Sequence, residues 1–207
     1  MSALAEALAP LYRNYLRRLD EMAARIGQDA LLCEASTRDE ERRLVRDPAG
    51  FVLRFDVADA RSGETFEVHG AHPDDPAVRE LQVGPLRFQI EPGNWEELPV
   101  RCAFAGEPAP DDVAALAELL RSWAVLAAQG GFASLREPRG TEGAERWSGR
   151  LHGASVQPEG AQVLAVFDLG TCPPAALDPL GLALAGFGRD RTPLARVTVG
   201  GRTSADS

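Results

Sequence analysis

The sequence contains no lysine: all 22 of its basic residues are arginine, and asparagine (Asn14, Asn94) and isoleucine (Ile26, Ile90) occur only twice each. These residues have AT-rich codons, so their scarcity points to a GC-rich bacterial genome rather than to selection for guanidinium chemistry. Apolar runs stay well below the roughly 18 residues that a membrane-spanning helix requires. Met1–Ile26 carries Glu6, Arg13, Arg17, Arg18, Asp20 and Glu21 where a secretory leader would need an apolar centre, so no leader is expected. Cys33, Cys102 and Cys172 are scattered and form no CxxC pair, which favours reduced thiols and a cytoplasmic location. There is neither a Gly-x-Gly-x-x-Gly nor a Gly-x-Ser-x-Gly, hence no phosphate-cradling loop and no hydrolase elbow, and no cofactor is expected.

What is present suits a globular core: 207 residues, 44% hydrophobic and 26% charged. The formal charge of −9 is uneven, because residues 51–110 hold eleven acids against five arginines, a net −6. Such a field repels nucleic acid and anionic lipid and speeds encounter with a basic protein surface.

The patterning predicts an α+β fold with an N-terminal helix, an antiparallel meander and two strand-strand-helix halves. Leu4, Leu8, Leu11, Tyr15, Leu19, Met22 and Ile26 recur at steps of three and four, with Ser2 placed to cap the helix, Gly27 to end it, and Pro10 to start or kink it. Gln28–Asp47 reads as a short helix or a loop. Alternation at Phe51–Phe55 and Thr65–Val68, then Gln82–Ile90 and Leu98–Phe104, predicts a four-stranded antiparallel meander. Pro108–Asp112 opens a helix whose buried face includes Leu116, Leu120 and Trp123. Strands follow at Arg146–Ser155 and Gln162–Asp168, then a helix from Pro173-Pro174 through Leu184 and a last strand near Leu194–Val199. The boundaries are a helical segment at 1–46, meander plus helix at 47–135, a strand-strand-helix-strand half at 136–200 packed with the preceding part as one unit, and a tail at 201–207. An offset of 64 places Gly106, Pro110, Leu116 and Leu120 on Gly170, Pro174, Leu180 and Leu184, which suggests a repeated strand-turn-helix unit.

Three constellations could carry chemistry. His69, His72, Asp74 and Asp75 lie within seven residues and contain metal-ligand side chains, although their spacing matches no standard site and also reads as a turn. Cys172 stands at the expected start of the last helix, with His152 the histidine of the same half; a small semi-buried residue is the plainer reading. Glu91, Trp95, Glu96 and Glu97 combine an aromatic with three acids in the most negative stretch, a pattern suited to a binding patch, although core placement of the indole is the favoured reading. The functional expectation is a non-enzymatic acidic binding module of the inhibitor, immunity or adaptor kind, engaging a basic protein partner through residues 51–110, with no nucleic acid and no membrane. The alternative is a small metal-dependent or small-molecule enzyme built on His69, His72 and Asp74. A homo-oligomer through the N-terminal stripe is the further expectation.

Overall fold

The apolar stripe lines the buried side of α1 (Ala3–Ile26) in the computed structural model, which describes residues 2–27, 29–67, 79–133 and 147–201. Ser2 caps it by accepting the Ala5 N–H at 3.2 Å, and Gly27 ends it at φ +84°. The helix continues through Pro10, whose missing N–H leaves only the carbonyl of exposed Glu6 without its usual helical donor.

The main sheet contains β4 (Arg79–Val83), β5 (Leu86–Ile90), β6 (Leu98–Phe104), β7 (Gly153–Glu159), β8 (Gln162–Asp168) and β9 (Leu194–Val199), in the order β4-β5-β9-β6-β8-β7. All neighbours are antiparallel except β5 and β9. Period-two alternation places Phe88, Ile90, Val197, Val199, Leu98, Val100, Cys102, Val163, Ala165 and Phe167 on one face, all nearly inaccessible. α2 (Pro110–Ala128), α3 (Leu177–Phe187) and α1 cover that face, while the other carries Arg87, Gln89, Arg101, Arg196 and Thr198. Gly181 lets α3 approach closely, since a Cβ there would lie 3.0 Å from Leu4 and 3.7 Å from Phe88. Trp123 ties α2 to the 3₁₀ turn Pro174–Ala176 through Nε1 to the Ala176 carbonyl at 3.0 Å, and its ring meets Phe167 edge-on at 5.0 Å.

From β6 onward the chain runs β6-α2-β7-β8-α3-β9 with strand order β9-β6-β8-β7, the split β-α-β arrangement called ferredoxin-like. The offset of 64 carries β6 onto β8 end for end, and the first residue of α2 onto the first residue of the 3₁₀ turn. Both helices pack on the same face.

The four-stranded meander expected between residues 51 and 104 does not form. Gly84, at φ +56°, turns the stretch predicted as one strand into the β4–β5 hairpin, and β9 lies between β5 and β6. The earlier strands form a separate antiparallel sheet of β1 (Leu31–Cys33), β2 (Val57–Asp59) and β3 (Thr65–Phe66).

Between β1 and β2 the chain makes three turns with a period of eight. Glu34, Arg42 and Gly50 all adopt positive φ. Thr37 N–H donates to the Leu53 carbonyl, Leu53 N–H to Val45 and Val45 N–H to Thr37, at 2.8–3.0 Å, closing a ring of backbone bonds. Arg38, Arg46 and Arg54 each donate Nη1 to the carbonyl of Arg42, Gly50 and Glu34, at 2.7, 2.6 and 3.1 Å. Asp39 and Asp47 accept the N–H four residues on, at 2.8 Å each. Most of the stretch read as a short helix or loop, together with Phe51–Phe55, predicted as a strand, is thus a pseudo-threefold knot of octapeptides, and Leu31–Cys33 of that stretch is the strand β1. These turns place Glu34 at the entrance and Asp56 at the exit of the knot.

Candidate functional site

Glu34 and Asp56 meet His152 and Asp168 where the small sheet abuts the large one. His152 precedes β7 and Asp168 ends β8, with His152 N–H bonded to the Asp168 carbonyl at 2.9 Å. The His152 ring places Nε2 at 3.0 Å from Glu34 Oε1 and Nδ1 at 3.4 Å from Asp56 Oδ1, with Asp168 Oδ1 at 3.9 Å. Glu34 also accepts the Thr171 hydroxyl at 2.5 Å and the Ser148 N–H, and Asp56 accepts the Tyr15 hydroxyl at 2.5 Å. Gly170, at φ +49°, packs on the imidazole face, where a Cβ would lie 2.5 Å from Nε2, so a side chain there would displace the ring.

Electrostatics follow from this enclosure. Burial disfavours the imidazolium, but hydrogen bonds to Asp56 and Glu34, with the charge of Asp168, push His152 up to about 10, so it carries its proton and donates from both nitrogens. Burial likewise works against the charge of Glu34, yet the bonds from His152, Thr171 and Ser148 hold its carboxyl below the usual range. Tyr15 is raised well above its ordinary value by burial and by Asp56. Asp168 lies at the open edge with 41% of its side chain exposed, and the burial it does have, with the charge of Asp56 adding and His152 opposing, raises it to about 6. Neither His152 nor Glu34 exposes more than 3% of its side chain. The arrangement stores one proton on His152 and pins the small sheet to the large one.

The residues singled out in sequence fall elsewhere. Trp95 is a core residue, 2% exposed, with Nε1 bonded to the Gly170 carbonyl at 3.0 Å and its ring 5.4 Å from Tyr12, so it presents no anchor to a partner. Glu91 accepts Gln89 Nε2 at 2.7 Å, and Glu97 is exposed. Glu96 is half-buried, its Oε1 is enclosed and has no hydrogen-bond partner among the described residues, and burial raises its carboxyl to about 7 against the opposing charge of Arg18. The acids of 51–110 do not share one face: Asp56 is interior, Asp59 pairs with Arg61 at 2.9 Å, and Glu80 lies on edge strand β4 of the other sheet. His69, His72 and Asp74 lie outside the described residues; among the described residues, no group of three or more His, Cys, Asp or Glu side chains is placed to hold a metal ion. Cys172 is inaccessible, with its thiol pushed up to about 12 by burial, and His152 already spends both nitrogens on carboxylates, so the two do not form a thiolate–imidazolium pair.

Sequence reasoning missed Glu34, Asp56 and Asp168. One signal for the first two was present: Thr37-Arg38-Asp39, Val45-Arg46-Asp47 and Leu53-Arg54 recur at a spacing of eight, a period belonging to neither helix nor strand.

No helix among the described residues is long and apolar enough to cross a membrane. Compared with protein-family models, with curated proteins and with solved structures, the chain matches none.

Proposed function

We propose that the chain is a non-enzymatic binding module that engages a basic protein partner through the acidic turn Glu91–Glu97. The observation supporting this is the exposed carboxyl of Glu97, with partly exposed Glu91 on the same turn between β5 and β6. An arginine or lysine of a partner would meet these two carboxylates in charge-assisted hydrogen bonds, while Glu96, its Oε1 buried, stays out of reach. The test is capture of partners from native extract by the tagged protein at low and high salt, with a Glu91→Arg/Glu97→Arg variant beside it. The expected result is one stoichiometric partner, lost at high salt and lost to the variant. Equal retention under both conditions overturns the proposal.

A second reading, a small-molecule enzyme, draws on a different observation. Glu96 at about 7 senses the charge of Asp168 at about 6, and both values lie in the range that acid–base catalysis uses. It predicts small ligands that raise the melting temperature of the wild type but not of Asp168→Asn; a ligand screen without such a response argues against it.

A further inference from the structure

Arg46 and Arg54 of the octapeptide knot share a cleft with Arg150, which comes from the segment leading into β7. The cleft has a volume of about 370 Å³, and Phe51, Val125 and Leu151 supply its apolar wall. Arg150 is half-buried and lies across Gly130 at the end of α2, where a Cβ would come within 3.1 Å of Nε. Arg54 is also half-buried and Arg46 is exposed, and each commits only Nη1, to a backbone carbonyl. Among the described residues no carboxylate lies within ion-pair distance of any of the three guanidiniums. The carboxylate that Arg54 senses is Glu34, already committed to His152, Thr171 and Ser148. Burial and the like charge of Arg150 hold Arg54 below the ordinary arginine value.

Gathering uncompensated positive charge in one cleft of a chain of net charge −9 costs Coulomb energy that an anion would recover. Guanidinium forks match oxyanions geometrically, with two donors per fork available to one phosphate or carboxylate. Past Phe51 and Val125 the cleft adjoins a second groove of about 750 Å³, lined by Ala154, Val156 and Ser122, with room for an organic body. We propose that this cleft binds the oxyanion head, phosphate or carboxylate, of a small organic molecule whose apolar part lies toward Phe51 and Val125.

Calorimetric titration of the full chain with inorganic phosphate, phenyl phosphate and benzoate, in a buffer without other oxyanions, tests the proposal. Saturable binding of at least one probe is expected, and for a phosphate head phenyl phosphate should bind about threefold or more tighter than inorganic phosphate. Preference for phenyl phosphate identifies a phosphate head, and preference for benzoate a carboxylate. Arg150→Gln should weaken binding about tenfold, while Arg87→Gln, on the far face of the large sheet, leaves it unchanged. Arg54→Gln also removes a bond to the Glu34 carbonyl, so Arg150→Gln, which breaks no hydrogen bond among the described residues, is the variant that decides if Arg54→Gln does not fold. Absence of saturable heat with all three probes, or unaltered affinity in Arg150→Gln, overturns the proposal.

Discussion

Between Leu98 and Val199 the large sheet buries Val100, Cys102, Val163, Phe167 and Val197 at 1% exposure or less under three helices, whereas between Glu34 and Asp56 the octapeptide knot relies on backbone rings, arginine-to-carbonyl bonds and aspartate caps. Apolar burial is indifferent to pH and tolerant of exchange among similar shapes. Polar knots are neither, because each missing partner strands another group. The two regions meet at His152, so the lesson of the contrast is directional: the large sheet should hold under conditions that loosen the knot from it.

The largest expected effect attacks the apolar side. Phe167→Ala should cost about 4 kcal/mol and lower the melting temperature of the whole chain in one cooperative transition. Two separated transitions would show that the knot folds independently of the sheet.

His152→Gln attacks the junction and should cost about 3 kcal/mol near neutral pH, because Glu34 and Asp56 lose the charge that compensates them. Its pH signature sharpens the comparison. His152 is raised from 6.5 to about 10 in the fold, so its contribution is fully present below 6.5 and fades as pH rises through 10. Glu96, raised to about 7, and Asp168, raised to about 6, also favour the fold when protonated and lose that contribution as pH rises through those values. Glu34 is lowered, so its contribution is present above 4.5 and disappears as pH falls below it. Stability measured by urea unfolding should therefore peak near pH 5 and decline toward pH 10, and the gap between wild type and His152→Gln should narrow across the alkaline half. A flat profile between pH 6.5 and 10 in the wild type would mean that His152 is not held as a cation.

The smallest effect lies within the knot. Asp47→Ala removes the cap on the Phe51 N–H, and Gly50→Ala places a Cβ at φ +92°; each should cost about 1 kcal/mol. Hydrogen exchange should localise the loss to residues 35–55 and leave β6 and β8 protected. Uniform loss of protection would erase the distinction between the two regions.

Elements with a strong period were legible in advance. The proline and acids at the start of α2, the alternation of β8 and the bounds of β9 all follow from local patterning. The meander was misread because alternation reveals a strand but not its neighbour: Gly84 looks like an interior glycine until the chain turns on it, and nothing local announces that β9 will part β5 from β6. The polar junction was invisible for a related reason. Glu34 and His152 are 118 residues apart, and their meeting depends on the knot, whose hydrogen bonds are mostly between backbone groups. Core placement of Trp95 is the favoured reading of the sequence despite its acidic neighbours, and its indole does find an acceptor inside, at Gly170.

The central place of β9 has a kinetic consequence. Phe88 must wait for Val197, and Val100 for Val199, before the middle of the sheet is zipped, so contacts spanning roughly a hundred residues close late. During synthesis or refolding, β5 and β6 are left with open flanks until the ninth strand arrives, and a chain halted before Leu194 would keep two hydrophobic strand edges available for misassociation. The period of greatest vulnerability for this protein is thus the interval before β9 inserts, when most of its helices can already be in place.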